Sequence, residues 1–253
     1  MELKSSAKIN IGLHVHSKRS DGFHNISTLF QEISLYDLIK IDEAENFSCK
    51  TDCGNIPESD NFGTKAFRIV KKLKPELPNV SISIRKAIPM NAGLGGGSSN
   101  GTAVLKGLNQ LFSLSLDKNK LSLIAKEISS DSTFFIEGGS QFGTQRGEKL
   151  QPVKNMEVPK HILLVHPNIK VSTKTAFEQL KNHLLNENMD INLSKLLREL
   201  KNNNFNSKLF KNDFEMYVFE THPEIGAIKL RILDLGAKYA SLSGTGSTVF
   251  GIF

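Results

Sequence analysis

A run of glycines between two differently patterned segments constrains this 253-residue chain more than any other feature. Residues 80–86 alternate apolar and polar side chains, which predicts a half-buried strand. The stretch 89–102 follows, with Gly93, Gly95, Gly96, Gly97 and Gly101. Apolar residues then recur at helical spacing, and we expect Ser98, Ser99 or Asn100 to cap that helix. The pattern predicts a glycine-rich turn between a strand and a helix.

Such a turn is suited to hold phosphate. Glycine lacks a Cβ, so the loop can adopt positive φ and let an anion reach its backbone N–H groups. The dipole of the following helix points its positive end, about half an elementary charge, at the same place. The loop is not a Walker A loop, because no lysine follows Gly97, and Asn100 breaks the dinucleotide fingerprint. A tight turn without a ligand is the alternative, because glycine-rich motifs often match by chance.

Size and composition favour a globular protein of two domains, and an enzyme of polyanionic small molecules explains the net charge as well as a nucleic-acid-binding protein would. Hydrophobic residues make up 39% and charged residues 23% of the 28.0 kDa chain, and no apolar run is long enough to cross a bilayer. The net charge is +6, but the basic residues are scattered along the sequence and the chain has no tryptophan to stack on bases. Both features argue against a nucleic-acid-binding protein. The amino terminus lacks the apolar core of a signal peptide, so we predict a cytoplasmic protein. We also expect a monomer or homodimer without a membrane partner. Cys49 and Cys53 are predicted to be free thiols.

The amino-terminal strand carries the first polar candidates. Apolar and polar residues alternate over residues 7–16, which places Lys8 and Asn10 on one polar face. A solvated face is the alternative to a functional one. His14 and His16 have the spacing of metal ligands, but no carboxylate or cysteine lies near them in sequence, so we expect them at the surface.

Two later turns carry further candidates. Asp131 directly precedes the apolar pair Phe134 and Phe135, a setting that can partly desolvate a carboxylate, although a plain turn aspartate is the alternative. Residues 243–247, Ser-Gly-Thr-Gly-Ser, form a second glycine turn before a final strand. An ordinary hairpin turn would explain that pattern equally well.

Several of these motifs resemble those of the galactokinase, homoserine, mevalonate and phosphomevalonate (GHMP) kinase superfamily. Residues 89–99 resemble its ATP loop, and residues 243–246 its third signature. The triple glycine, the Ala-Lys-Ile-Asn of residues 7–10 and the Asp-Gly-Phe-His of residues 21–24 are similar to one branch, the 4-diphosphocytidyl-2-C-methyl-D-erythritol kinases. That branch carries Gly-Ala-Asp-Val-Pro-Phe-Phe where this chain has Ser-Ser-Asp-Ser-Thr-Phe-Phe at 129–135, so the aspartate matches within a divergent loop.

The resemblance implies a fold and a reaction. The fold is α+β, the two-domain GHMP-kinase fold, with a ribosomal S5 domain 2-like ATP-binding domain at 1–152 and a ferredoxin-like α+β domain at 153–253. The reaction is ATP-dependent phosphorylation of the 2-hydroxyl of 4-diphosphocytidyl-2-C-methyl-D-erythritol, in the non-mevalonate isoprenoid precursor pathway. Another GHMP kinase, of the homoserine or mevalonate type, is one alternative, and an inactive nucleotide-binding sensor of the same fold is another. The Asp-Gly-Phe-His element argues against the first, and retention of both Lys8 and Asp131 argues against the second.

The resemblance also implies residue roles. Lys8 and Asp131 are the catalytic pair, with Asp131 as the base, and magnesium accompanies ATP with Ser98 or Ser99 as its candidate protein ligand. The expected ATP-binding residues are Pro89, Met90, Asn91, Ala92, Gly93, Leu94, Gly95, Gly96, Gly97, Ser98 and Ser99. The expected substrate-binding residues are Asn10, Phe23, His24, Thr173, Phe177, Gly244, Thr245 and Gly246. Among these, Phe23 and Phe177 are expected to sandwich the cytosine while His24 reads its edge.

Overall fold

A computed structural model describes residues 1–53, 56–154, 161–180, 192–202, 204–205 and 208–253. The chain forms two compact units, and each draws on separate stretches of sequence. Unit 1 comprises Met1–Lys8, Glu32–Met90 and Gly95–Gly138, and unit 2 comprises Ile9–Gln31, Asn91–Leu94 and Gly139–Phe253. These packing units differ from the continuous domains 1–152 and 153–253 expected from the sequence, whose boundary stays a prediction.

Strands and helices are mixed throughout the chain, as the α+β prediction requires. The strands are β1 (Glu2–Lys18), β2 (His24–Glu43), β3 (Ser48–Thr51), β4 (Val80–Arg85), β5 (Ser140–Gln145), β6 (Lys149–Pro152), β7 (Ile162–Val165), β8 (Tyr239–Leu242) and β9 (Val249–Ile252). The helices are α1 (Phe62–Leu73), α2 (Gly96–Leu111), α3 (Lys118–Ile128), α4 (Phe134–Glu137), α5 (Thr173–Leu180), α6 (Leu193–Lys201), α7 (Phe214–Thr221) and α8 (Pro223–Asp234). Short 3-10 helices span Glu58–Asp60, Ser130–Thr133 and Lys208–Phe210.

Unit 1 is built from helices α1, α2 and α3 packed on paired strands. The second half of β2 pairs antiparallel with β4, and β4 pairs parallel with β3. Helix α1 begins after Asn61, whose side chain accepts a hydrogen bond from the Gly63 amide, and α3 begins after Asp117, which accepts one from the Lys120 amide. The core combines the inward residues of the strands with the apolar stripes of the helices, among them Ile39, Ile41, Ile82, Ile84, Val104 and Leu108.

Unit 2 contains two groups of strands. The glycine-containing segment 141–148 suggested a hairpin from sequence. The first half of β2 pairs antiparallel with β5, which pairs antiparallel with β6, so that hairpin is confirmed. Strands β7, β9 and β8 form a three-stranded antiparallel sheet in that order. The core of unit 2 is formed largely by apolar side chains of α5, α7, α8, β8 and β9, among them Ala176, Leu180, Val218, Ile225, Ile232, Leu242 and Val249.

Most elements agree with the sequence-based predictions, and one difference is informative. The alternation at 26–33 and at 37–42 suggested two strands, but they are one continuous strand, β2, with Ser34, Leu35 and Tyr36 in extended backbone between them. The predicted linker at 151–155 and the polar spacer at 202–206 lie partly outside the described residues. Within the described ranges, no helix is long and apolar enough to cross a membrane.

Candidate active site

The glycine-rich loop enters helix α2 earlier than the sequence suggested. Gly95 is the N-cap and has left-handed backbone (φ 70°, ψ 15°) without a side-chain capping bond, so the predicted cap at Ser98, Ser99 or Asn100 is wrong. A glycine tolerates this backbone at little cost, which lets the helix begin at Gly96. The first intrahelical bond joins the Ser99 amide to the Gly95 carbonyl at 2.9 Å. The amides of Gly96, Gly97 and Ser98 therefore precede the helical ladder, as an anion-binding terminus requires.

Steric crowding explains why glycine is needed in the unit 1 part of the loop. A Cβ added to Gly95 would lie 3.1 Å from Cγ of Lys8 and 3.1 Å from Cζ of Phe135. One added to Gly96 would lie 2.9 Å from Ile88, and one added to Gly97 would lie 2.8 Å from Phe62. The loop is thus packed by its own unit's side chains, and Gly95 in particular leaves room for Lys8.

Lys8 and Asp131 form an ion pair within unit 1. Strand β1 supplies Lys8 and the 3-10 helix Ser130–Thr133 supplies Asp131, and Nζ lies 3.7 Å from Oδ2. The lysine is 4% exposed and the aspartate 33% exposed, so the carboxylate is open to solvent while the ammonium is not. Burial lowers the pKa of Lys8 below its ordinary value, and the Asp131 charge opposes that shift. The solvated polar face considered for β1 is therefore wrong for Lys8.

A buried polar network secures both ends of the glycine loop in unit 1. Asp37, fully buried on β2, accepts hydrogen bonds of 2.8 Å from the amides of Ala87 and Ile88, just before the loop. Its other oxygen accepts from Lys86 and from Nδ2 of Asn100, at 2.8 Å for the latter. The network links β4 to α2, and sequence reasoning missed it. A charged residue at an inward position of a strand was the available signal.

The candidate magnesium ligands are both engaged within unit 1. The Ser98 hydroxyl accepts a hydrogen bond from Ser129 and the Ser99 hydroxyl accepts one from Ser5, each at 2.8 Å. Ser99 is 3% exposed and Ser98 is 9% exposed. Among the described residues, no cluster of three or more His, Cys, Asp or Glu side chains could hold a metal. This donor set fits a magnesium ion held chiefly by phosphate and water, because that ion keeps several waters in nucleotide sites.

In unit 2, the first half of the glycine loop contacts the second glycine turn. The Ser243 hydroxyl donates to the Gly93 carbonyl at 3.0 Å, and the Thr248 amide donates to the Ala92 carbonyl at 3.3 Å. A Cβ on Gly93 would lie 1.9 Å from the Ser243 carbonyl oxygen, so no other residue fits there without moving the backbone. Two motifs that were predicted separately are therefore in contact.

Asn212 and Thr173 hold the second glycine turn in place. Nδ2 of Asn212 donates to the carbonyls of Leu242 and Gly244, both at 2.8 Å. The hydroxyl of Thr173 lies 3.0 Å from that of Thr245, which brings two predicted substrate-binding residues together. Asn212 was not predicted, because its partners lie some thirty residues away and its own neighbours in sequence show no motif.

The aromatic candidates of unit 2 are arranged differently from the expected sandwich of Phe23 and Phe177. The ring stacked on Phe177 is that of His24, with centroids 5.5 Å apart and planes 18° apart. Phe23 is 49% exposed, and the guanidinium of Arg146 lies 3.6 Å above its ring centroid. Phe177 also meets Phe214 edge to face. Phe23 is thus half exposed with a cation over one face of its ring, a feature that sequence reasoning did not identify.

Asn10 and His14 are buried in unit 2. Nδ2 of Asn10 donates to Thr28 at 3.0 Å, and Thr28 donates to the Gly12 carbonyl at 2.6 Å. His14 lies 3.0 Å from the Leu209 carbonyl and 3.4 Å from Oδ1 of Asp213, so the expected surface position of His14 is wrong. Its partners come from nearly two hundred residues away, which local pattern cannot show.

The predicted site residues divide between the two units. Unit 1 holds Lys8, Pro89, Met90, Gly95, Gly96, Gly97, Ser98, Ser99 and Asp131. Unit 2 holds Asn10, Phe23, His24, Asn91, Ala92, Gly93, Leu94, Thr173, Phe177, Gly244, Thr245 and Gly246. The first set contains the ion pair and the helix terminus, and the second contains the aromatic rings and the second glycine turn.

Comparisons with known proteins point in one direction. A family model described as GHMP kinases N terminal domain matches residues 61–139, and one described as GHMP kinases C terminal matches residues 178–253. The 4-diphosphocytidyl-2-C-methyl-D-erythritol kinase of Cytophaga hutchinsonii is 38% identical, covering 98% of this chain and 90% of that protein. The protein of the same name from Parabacteroides distasonis is 37% identical, covering 98% of this chain and 90% of that protein.

Solved structures agree with the sequence relatives. A crystal structure of 4-(cytidine 5'-diphospho)-2C-methyl-D-erythritol kinase matches with a TM-score of 0.84 and 28% identity, covering 100% of this chain and 90% of that one. The mevalonate kinase of L. major matches with a TM-score of 0.69 and 16% identity, covering 100% of this chain and 87% of that one. The second likeness shows a shared fold alone.

Proposed function

Because the chain belongs to the 4-diphosphocytidyl-2-C-methyl-D-erythritol kinases of the GHMP superfamily, we propose that it phosphorylates the 2-hydroxyl of 4-diphosphocytidyl-2-C-methyl-D-erythritol with ATP. The observation that carries the proposal is the Lys8–Asp131 ion pair, packed beside Gly95 at the start of α2. The cytoplasmic location and the monomer or homodimer expected from the sequence stand as parts of this proposal.

Asp131 acts as the base of the reaction. An alcohol is a poor nucleophile at neutral pH, so a carboxylate within hydrogen-bond reach is needed to accept its proton. Asp131 takes the proton of the 2-hydroxyl, the alcohol oxygen forms a bond to the γ-phosphorus, and the bond to the β-phosphate oxygen breaks to release ADP. Lys8 orients the Asp131 carboxylate and offsets negative charge on the transferring group. Phosphoryl transfer requires little else from the protein beyond positioning and electrostatics.

The loop residues grip the triphosphate. The amides of Gly96, Gly97 and Ser98 donate to phosphate oxygens at the positive end of the α2 dipole. Ser98 is the better candidate for magnesium than Ser99, because its side chain is the less buried of the two. The ion, when bound, neutralises charge on the phosphates.

The unit 2 residues bind the cytidine end of the acceptor. Phe23 presents its half-exposed ring to a pyrimidine, and stacking of this kind contributes about 1 to 3 kcal/mol per base. His24, positioned by Phe177, supplies the donor and acceptor that distinguish cytosine from other bases. Asn10, Thr173 and the turn at 244–246 complete the proposed acceptor site.

An acceptor panel tests the proposal. ADP release is measured with purified protein, ATP and magnesium in the presence of the cytidine-linked acceptor, homoserine or mevalonate. We expect turnover with the first acceptor alone. Turnover with homoserine or mevalonate instead would assign another GHMP activity. ATP binding without turnover on any acceptor would indicate a nucleotide sensor and overturn the proposal.

A further inference from the structure

Three serine hydroxyls connect the Asp131 turn to the start of helix α2, all within unit 1. Ser129 donates to the Ser98 hydroxyl at 2.8 Å, and the hydroxyls of Ser129 and Ser132 lie 2.6 Å apart. Ser132 is fully buried, and Ser98 is nearly so. Two of the three lie in the loop that departs from the family motif, where that motif has glycine in place of Ser129 and valine in place of Ser132.

Counting protons gives this chain of hydroxyls a direction. A hydroxyl has one proton, and that of Ser129 is used toward Ser98. The 2.6 Å contact between Ser129 and Ser132 must therefore be made by the Ser132 proton. The other acceptor for that proton, the Ser98 carbonyl, is farther away at 3.3 Å. Ser132 therefore donates to Ser129, and Ser129 donates to Ser98. The Ser98 proton is not used in a hydrogen bond to either of the other two serines.

Backbone contacts hold the two ends of the chain in register. The Thr102 hydroxyl lies 2.9 Å from the Ser132 carbonyl and 3.0 Å from the Ser98 carbonyl. Thr102 is buried, one turn of α2 beyond Ser98. The Asp131 turn and the first turn of α2 are thus tied together by both side-chain and backbone groups.

We propose that Ser132, Ser129 and Ser98 form an ordered hydroxyl chain that presents the Ser98 proton to a phosphate of ATP, with Ser129 and Ser132 as positioning residues. This inference rests on the proposed function, in which the protein binds ATP. A hydroxyl that accepts a hydrogen bond becomes a better donor to the next group, because linked hydrogen bonds polarise one another. Ser98 is the third residue of α2, where a donor adds to the free backbone amides of the terminus.

The test is a double-mutant cycle on ATP affinity, measured by calorimetry without acceptor and without magnesium, so that the candidate contact of Ser98 with the metal does not contribute. Ser98→Ala should weaken binding about tenfold or more, because it removes a hydrogen bond to a charged group. Ser132→Val, which installs the family residue, should weaken binding about two- to tenfold. In the double variant the affinity should equal that of Ser98→Ala within about twofold, because Ser132 acts only through Ser98.

Controls separate the possible outcomes. Ser48→Ala also removes a serine-to-serine hydrogen bond, of 3.2 Å to Ser81, and should leave ATP affinity unchanged. If Ser132→Val does not fold, Ser129→Gly removes the middle link and takes its place in the cycle. Losses that add in the double variant, or no loss from Ser132→Val and Ser129→Gly, would overturn the hydroxyl chain while leaving the kinase assignment intact. Absence of ATP binding by the wild type would overturn both.

Discussion

Gly95 makes room for Lys8: a Cβ on Gly95 would lie 3.1 Å from Cγ and 3.2 Å from Cε of the lysine. The phosphate loop and the ion pair with Asp131 are therefore sterically coupled. The need for glycine at this place comes from its left-handed backbone and from the lysine stem together. The sequence-based expectation explained this glycine by positive φ and by access of phosphate to the backbone, and did not include its contact with Lys8.

Gly95→Ala should lower kcat about tenfold to a hundredfold, because displacing Lys8 misplaces the group that orients Asp131. Gly139→Ala is the matched control. Gly139 also has φ near +70°, yet an added Cβ there meets nothing within 4 Å. Both variants pay the left-handed strain of about 1 to 2 kcal/mol, but only the first should impair turnover. Steady-state kinetics on the folded proteins decide, and equal kcat values in the two variants would contradict the coupling.

Asp131→Asn should lower kcat about a hundredfold to ten-thousandfold with little change in ATP affinity, which is the signature of a lost general base. Asp60→Asn, an exposed aspartate of the same unit, serves as control and should behave as wild type. Kinetics and calorimetry on the same preparations provide both quantities. Activity within about threefold of wild type would reduce Asp131 to a turn residue.

Lys8 should give the free energy of unfolding a defined pH dependence. The pKa of Lys8 in the folded protein lies below the ordinary 10.5, chiefly because the side chain is buried. At pH values between that folded pKa and 10.5, the unfolded chain therefore binds more protons than the folded protein does. Stability from this group therefore rises with pH across that window. Urea unfolding of wild type and Lys8→Met is measured as a function of pH. The free energy of unfolding of the wild type should rise relative to that of the variant as pH approaches 10.5. Parallel curves would contradict the lowered pKa.

His24 should read the cytosine and leave ATP binding unchanged. His24→Ala is expected to weaken binding of the cytidine substrate by about 1 to 3 kcal/mol, the cost of a polar group left unpaired. His24→Phe keeps a ring against Phe177 but loses both nitrogens, so it should show a similar loss. Calorimetric titration of each ligand decides. Normal affinity in His24→Phe, or equal losses for both ligands, would assign His24 to packing.

Asp37→Asn should destabilise the protein by about 3 to 5 kcal/mol, because it leaves the buried Lys86 without its counter-charge. Adding Lys86→Met should recover part of that loss, because no unpaired ammonium then remains. Urea unfolding of both single variants and the double variant gives the coupling energy. Additive losses would show that the pair is not coupled.

The sequence predicted most helices well, because apolar spacing and capping residues lie within the segment that forms the helix. Spacing within single segments predicts a helix after residue 59 or 60, a helix cap at Asp117 and helices near 174–180, 194–200, 213–220 and 223–235. The structure has each of them within about two residues of these places. The family matches confirm the α+β GHMP-kinase fold that the short motifs implied.

What sequence could not show depends on distant partners. Lys8 and Phe135 leave no room for a Cβ on Gly95, and His14 is buried because residues near 209–213 cover it. Asn212 acquires its role only when the second glycine turn folds against it. Ser129 and Ser132 likewise differ from the family motif in sequence, and the structure shows their link to Ser98 through the hydrogen bond of Ser129.

Identification of the phosphorylated product tests the central claim most directly. The protein is incubated with ATP, magnesium and 4-diphosphocytidyl-2-C-methyl-D-erythritol, and the product is examined by phosphorus and proton NMR. We predict a new phosphate monoester on the 2-oxygen, formed in equal amount to ADP and absent with Asp131→Asn on the same timescale. A product phosphorylated at another hydroxyl, or an acceptor that stays unchanged while wild-type protein binds ATP, would contradict the account.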